Sequence, residues 1–355
     1  MSLLAKTLKV VAAAAALSAT AAVAADRLQG AGATFPQPLY QRLVAEYQKL
    51  TDVQIDYQGI GSGGGQKGIA EKTVHFAGSD APIDKKMIAK CGGADNLVEI
   101  PSCAGGIVPA YNLPAVKKDL RFTGSVLASI YMGKIKQWND PELAKLNPGV
   151  ELPDLAITVA WRTDGSGTNF VWTHYLCTQS EEFKSTIGAG LKVQWPVGLG
   201  GKGNQGVTAK VQQTVGGIGY VEQGYADANH LAYGSIQNKA GKFVKASPES
   251  VSLAGAGVAV TMEGHMIPAD IWNQPGEQTY PVASFTYLIV YKDLNNLPDK
   301  QSAQALVDFL WWATHDGQKF APKLDYAPLA PAVQKKVEQA LKAITYKGES
   351  LKIGE

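Results

Sequence analysis

Two apolar rhythms alternate along the chain. Over residues 36–50, "PQPLYQRLVAEYQKL", apolar positions recur at Leu39, Leu43, Tyr47 and Leu50, close to the helical period, behind a proline that a first turn tolerates. That spacing predicts a helix. "VQIDYQ" at 53–58 alternates like a half-buried strand and runs into "GIGSGGGQKG", after which Ile69 to Val74 read as helical. "HFAGSDAP" predicts an extended segment ending at Pro82. Farther on, "GGIVPAYN", "AITVAW", "GGIGYVE" and "SFTYLIVYK" read as buried strands, and "SAQALVDFLWWATHDG" and "PAVQKKVEQALKAI" as amphipathic helices. Strands alternating with helices predict an α/β fold, with mixed sheets that are mostly parallel and flanked by helices. No internal repeat or low-complexity linker interrupts the pattern.

The first 24 residues break it. Lys6 and Lys9 precede an apolar run from Val10 to Leu17 and then "ATAAVAAD", whose small residues suit signal peptidase after Ala24 or Ala25. The run is shorter than the roughly 20 residues a membrane span needs, and no cysteine stands there to take a lipid. Residues 1–24 therefore read as a cleaved export signal, with the mature protein soluble outside the cytoplasm. About 330 residues remain, more than one hydrophobic core usually serves, so two lobes are expected. Without a linker the lobes are expected to share the chain, with residues 25–104 and 283–355 expected in the first and 105–282 in the second.

Charge and cysteines narrow the chemistry. The signal holds two lysines and no acid, so the mature chain carries 31 residues of each sign. It lacks the basic excess of a nucleic-acid partner. In an exported chain, Cys91 and Cys103 are close enough in sequence to be expected as a disulfide. Cys177 is left as a buried free thiol, with no His or Cys at metal-ligand spacing around it.

Four glycine- and hydroxyl-rich loops remain as candidate chemistry. "GAGATFP" sets Thr34 and Phe35 at the start of the first helix, and "GIGSGGG" sets Ser62 where a strand gives way to a helix. "GSDAP" offers Ser79 and Asp80, and "WRTDGSGTNF" offers Arg162, Asp164, Ser166, Gly167 and Thr168 ahead of a helix that should include His174. In three of them, glycine permits a tight turn and the following helix presents free N–H groups and a positive dipole end, the makings of an anion site. Each dipole end amounts to roughly half an elementary charge, so several converging with one arginine fork suit a doubly charged tetrahedral anion. A bland helix cap would also explain Ser62, Thr34 or Ser166 taken singly, and Asp80 could cap ahead of Pro82.

Other motifs fit less well. Gly59, Gly61 and Gly64 match a dinucleotide fingerprint on paper, with Asp80 at a plausible distance, but they lie far from the mature N-terminus of an exported chain. "LGGKGNQG" has Gly203 where a P-loop needs Ser or Thr. A phosphatase or related hydrolase with Ser166 or Asp80 as nucleophile would need a positioned base, yet the histidines, His75, His174, His230, His265 and His315, are scattered, and no G-x-S-x-G elbow is present.

"GAGATFP", "YQGIGSGGG", "GSDAP" and "RTDGSGTNF", in this order behind an export signal, resemble the periplasmic phosphate-binding proteins of phosphate ABC importers. The similarity continues through "KVQWPVGLGGKGN", "GGIGYVE" and "LDYAPLAP", covering nearly the whole mature chain. The resemblance implies a monomeric periplasmic clamshell, without cofactor or catalysis, that closes on one phosphate and delivers it to a membrane permease. Its implied ligands are Thr34, Phe35, Ser62, Asp80, Arg162, Ser166, Gly167 and Thr168, with Asp164 steadying the arginine. Gly63 departs from the family pattern, where a second serine is expected, leaving a backbone N–H without the hydroxyl. A carboxylate aimed at an anion repels it unless the anion brings a proton. Asp80 is thus expected to favour phosphate over sulfate or molybdate.

Overall fold

Two sets of parallel strands carry the loops singled out above. Arg27–Gly32 pairs in parallel with Gln54–Gly59 and Phe76–Ser79. Thr158–Arg162 pairs in parallel with Leu199–Gly201 and Gly217–Glu222. The structure, a computed structural model, describes residues 27–258 and 271–354; the export signal and His265 lie outside the described residues. No helix among the described residues is long and apolar enough to cross a membrane.

Two long strands, Leu97–Tyr111 and Ala283–Tyr291, run antiparallel to each other between these sets. Ala283–Tyr291 also pairs antiparallel with Phe76–Ser79, and Leu97–Tyr111 with Gly217–Glu222, giving one nine-stranded mixed sheet. The expected parallel pairing thus holds inside each triplet and fails at the join. The reason is that "ASFTYLIVY" is buried at every position, and a strand covered on both faces reads as a continuous apolar run whichever way it points. Leu97–Tyr111 is likewise buried along all 15 residues. It pairs with Ala283–Tyr291 up to Gly106 and with Gly217–Glu222 from Ile107, so one strand threads both halves.

Helices cover the faces as the periodicity requires. Gln37–Tyr47 buries Leu39, Tyr40, Leu43 and Tyr47, whereas Leu50 lies past its end and is 66% exposed. The stretch from Ile69 to Val74 is not a helix of its own: the helix spans Ser62–Ala70, and the chain turns after it. Each glycine in a helix interior costs about 1 kcal/mol relative to alanine. Here close packing compensates, because a Cβ on Gly65 would stand 2.6 Å from the Gly32 Cα.

The expected disulfide is absent. Cys91 and Cys103 are both free and buried, Cys91 in a small cluster with Ile69, Leu97 and Tyr291, and Cys103 in the main core. Cys91 packs near the start of the long strand, and Cys103 lies six residues beyond Leu97, about 20 Å along an extended chain, whereas a disulfide needs Cα atoms within about 7 Å. Cys177 is half-buried rather than fully buried. Alkylation of the denatured mature protein without reductant is expected to label all three cysteines; protection of Cys91 and Cys103 together would contradict this packing.

Candidate functional site

The four loops leave the C-terminal ends of their parallel strands, where open α/β sheets place ligands. A fifth joins them, from Leu199–Gly201 into the helix Gly203–Gln213. Loops of the two triplets touch. Gly63 N–H donates to Gly165 O at 2.9 Å, Gly167 N–H to Ser62 Oγ at 3.1 Å, and Asn204 N–H to Thr34 Oγ1 at 3.1 Å. A Cβ at residue 167 would lie 2.6 Å from both Asp80 Cβ and Ser62 Oγ, so this meeting point requires glycine.

Arg162 is a charged side chain with almost no solvent access, 2% exposed, at the end of its strand. Asp164 grips it in a fork: Nε donates to Oδ1 at 2.9 Å and Nη2 to Oδ2 at 2.6 Å. Gly203 N–H adds a third bond to Asp164 Oδ1 at 3.0 Å. Burial pushes the Asp164 carboxyl up, but the arginine beside it outweighs that and holds it below its ordinary value. Arg162 Nη1 donates to Thr168 Oγ1 at 3.3 Å. Because Asp164 balances the arginine charge, an anion here depends on aimed N–H and O–H donors as much as on net charge.

Asp80 is buried opposite. Its Oδ1 accepts from Thr286 Oγ1 at 2.8 Å and its Oδ2 from Ser62 Oγ at 3.4 Å. Burial pushes its carboxyl up to about 7, with Thr286, Arg162 and Ser62 offsetting part of the rise. Near neutral pH it therefore changes between proton donor and proton acceptor. Ser62 Oγ accepts from the N–H groups of Asp80 and Gly167, so it does not cap its own helix. Ser166 does cap: its Oγ accepts from Asn169 N–H at 3.0 Å. Gly63's N–H is engaged with Gly165 O rather than presented to an anion.

The Thr34–Phe35 turn is held from behind. Tyr225 OH donates to Thr34 O and Tyr326 OH to Phe35 O, each at 2.6 Å. Tyr326 OH also lies 2.9 Å from Glu222 Oε2 as a donor, and burial holds the Glu222 carboxyl well above its usual range. Thr34 O and Phe35 N–H point opposite ways across a trans peptide, so the tyrosine bond turns the Phe35 N–H away from Tyr225.

Thr34, Ser62, Asp80, Arg162, Asp164, Gly167 and Thr168 thus come together through shared hydrogen-bond partners, whereas Ser166 Oγ bonds within its own helix and Ser79 Oγ turns to Ala81 O; several other residues join the cluster. Asn204, Thr286, Glu222, Tyr225 and Tyr326 carried no loop signal of their own, although "LGGKGN" repeats the strand–glycine–helix design and could have flagged Asn204. His174 lies on the helix Gly167–Gln179 and bonds Phe170 O. No described histidine hydrogen-bonds a site hydroxyl, and no described group of His, Cys, Asp and Glu could hold a metal ion.

Comparison with known proteins gives the chain's relatives. The family model of the PBP superfamily domain matches residues 18–315. The phosphate-binding protein PstS of Pasteurella multocida (strain Pm70) is 43% identical over 315 residues, 88% of this chain and 89% of that protein. The protein of the same name from Methanocaldococcus jannaschii is 36% identical over 306 residues, 81% and 78% of the two chains. Among solved structures, a phosphate-binding protein from Stenotrophomonas maltophilia superposes with a TM-score of 0.67 at 20% identity, covering 88% of this chain and 92% of that one. That likeness gives the fold, the two-lobed α/β arrangement expected from the sequence. With the superfamily model spanning most of the chain and identity of 43% sustained over 88% of it, the protein belongs to the PstS family of phosphate-binding proteins.

Proposed function

We propose that this protein is a non-enzymatic periplasmic receptor that binds one inorganic phosphate between two lobes and delivers it to the permease of an ABC importer. The observation that carries the reading is the convergence of buried Arg162, Asp80, Ser62, Thr34 and Thr168 from both strand triplets on one place. Residues 25–104 with 283–355 form one lobe and 105–282 the other. Supporting that division, the long strand exchanges its neighbour between Gly106 and Ile107.

The ligand set is Thr34, Phe35, Ser62, Asp80, Arg162, Ser166, Gly167 and Thr168, supported by Asp164. Residues of both lobes reach the anion together only in the closed form, so phosphate favours closure. Asp80 accepts a proton that phosphate carries at neutral pH and sulfate lacks. Calorimetric titration of ligand-stripped mature protein at pH 8 is expected to give one-to-one phosphate binding and no heat with sulfate. Absence of phosphate binding, or steady turnover of p-nitrophenyl phosphate, would overturn the reading in favour of another ligand or a hydrolase.

A further inference from the structure

The Asn204 side chain makes three polar contacts and its N–H a fourth, and together they fix the direction in which two site hydroxyls donate. Its Oδ1 accepts from Glu222 N–H at 2.9 Å. A backbone N–H can only donate, so the amide's orientation is settled and Nδ2 must face the other way. Nδ2 has two hydrogens, directed at Thr34 Oγ1 at 3.0 Å and Thr168 Oγ1 at 3.2 Å. The Asn204 N–H also donates to Thr34 Oγ1, and Arg162 Nη1 to Thr168 Oγ1.

Each threonine hydroxyl therefore accepts two hydrogen bonds. A hydroxyl has two acceptor lone pairs and one proton, so with both lone pairs engaged its remaining capacity is as a donor. We infer that Asn204 is a positioning residue that keeps the Thr34 and Thr168 hydroxyls as donors to the bound anion, and that it links the two lobes by bonding both at once. This rests on the phosphate reading above. It explains why an amide stands here. A carboxylate would accept the threonine protons and turn them away from the ligand, and an aliphatic side chain would leave each hydroxyl with one donor only, the residue 204 N–H on Thr34 and Arg162 Nη1 on Thr168, and one lone pair unengaged. It also places selectivity partly outside the charged groups, because two prepositioned donors favour an oxyanion with bare oxygens on that side.

The test is a thermodynamic cycle read by calorimetry with inorganic phosphate: wild type, Asn204→Ala, Thr34→Val/Thr168→Val, and the triple variant, each checked for cooperative melting. Asn204→Ala is expected to weaken phosphate roughly 10- to 100-fold in the wild-type background, the range for bonds to a charged group. In the Val/Val background it is expected to cost threefold or less, since there are no hydroxyls left to direct. Equal losses in both backgrounds would mean a merely structural role and overturn the inference. Asn204→Leu, which keeps the bulk, guards against collapse of the site and is expected to behave like alanine; wild-type affinity in Asn204→Leu would also overturn it. Failure of the wild type to bind phosphate would instead strike the reading of the site itself.

Discussion

Replacing Arg162 with alanine is expected to abolish measurable phosphate binding, a weakening of at least about 1000-fold, and to destabilise the fold by about 3–5 kcal/mol. Both effects follow from one geometry. Arg162 is buried, and its Nε and Nη2 are held by Asp164. Truncation leaves the Asp164 carboxylate in a poorly solvated place beside Asp80, which adds a second negative charge where an anion must sit. The two consequences can be separated. In Arg162→Met/Asp164→Leu the orphaned charge is gone, so stability should return to within about 2 kcal/mol of wild type, as apolar replacements of buried pairs often do. Phosphate affinity should not return, because the Nη donors are still missing. Tight phosphate binding by the double variant, measured by calorimetry alongside denaturant melts, would show that the anion does not lie against Arg162.

Asp80→Asn is expected to change selectivity rather than erase binding. In the wild type, sulfate meets a carboxylate with no proton between them, and a buried acceptor left unpaired costs several kcal/mol. Asparagine can turn its N–H to sulfate, so sulfate affinity at pH 8 should rise by at least about 100-fold, consistent with the discrimination that buried polar groups supply. The pH dependence has a definite sign. The Asp80 carboxyl titrates near 7, far above its ordinary value, so lowering the pH through 7 protonates it and makes it a donor. Sulfate binding by wild type should therefore strengthen as pH falls from 8 to 6, and that of the variant should stay flat. The same raised value means that the folded state binds this proton more tightly than the unfolded chain between about pH 4 and 7, so Asp80 destabilises the anion-free fold increasingly across that window. Asp80→Asn should then stabilise the anion-free protein at pH 8 by about 2–4 kcal/mol and have little effect at pH 4. A sulfate profile that is pH-independent in the wild type would remove Asp80 from the selectivity mechanism.

Much of this site was legible in the chain because its parts repeat one local design. A strand ends, glycines turn the backbone, and a helix begins with hydroxyl residues near its first turn; Ser62 and Thr168 could be found that way from spacing alone. What the pattern could not give is which hydrogen bonds each group makes. Ser166 and Ser62 look alike in sequence, yet the first caps its own helix and the second reaches across to Gly167. Asp164 and Asp80 are both carboxylates in loops, and only the three-dimensional neighbours set one below its ordinary value and the other near 7. Asn204 escaped notice because an isolated asparagine after a glycine is common in turns; the contacts of its side chain and N–H involve residues 18 to 170 positions away.

The fold shows the same division. The helix Gln37–Tyr47 follows its apolar period directly. The direction of Ala283–Tyr291 does not, since a fully buried strand carries no polarity signal, and so the antiparallel join between the halves had to come from the structure. The expected disulfide failed for a related reason. Twelve positions separate Cys91 from Cys103, but part of that distance is a rigid extended strand that carries them into different clusters.

Phosphate held jointly by loops of both strand triplets would be visible in a crystal structure of the mature protein grown with phosphate. The expected result is one phosphate within hydrogen-bonding distance of Arg162, Thr168, Thr34, Ser62 and Asp80, with Asn204 still bonded to both threonines. A phosphate bound by one triplet alone, or away from Arg162 and Asp80, would contradict the account.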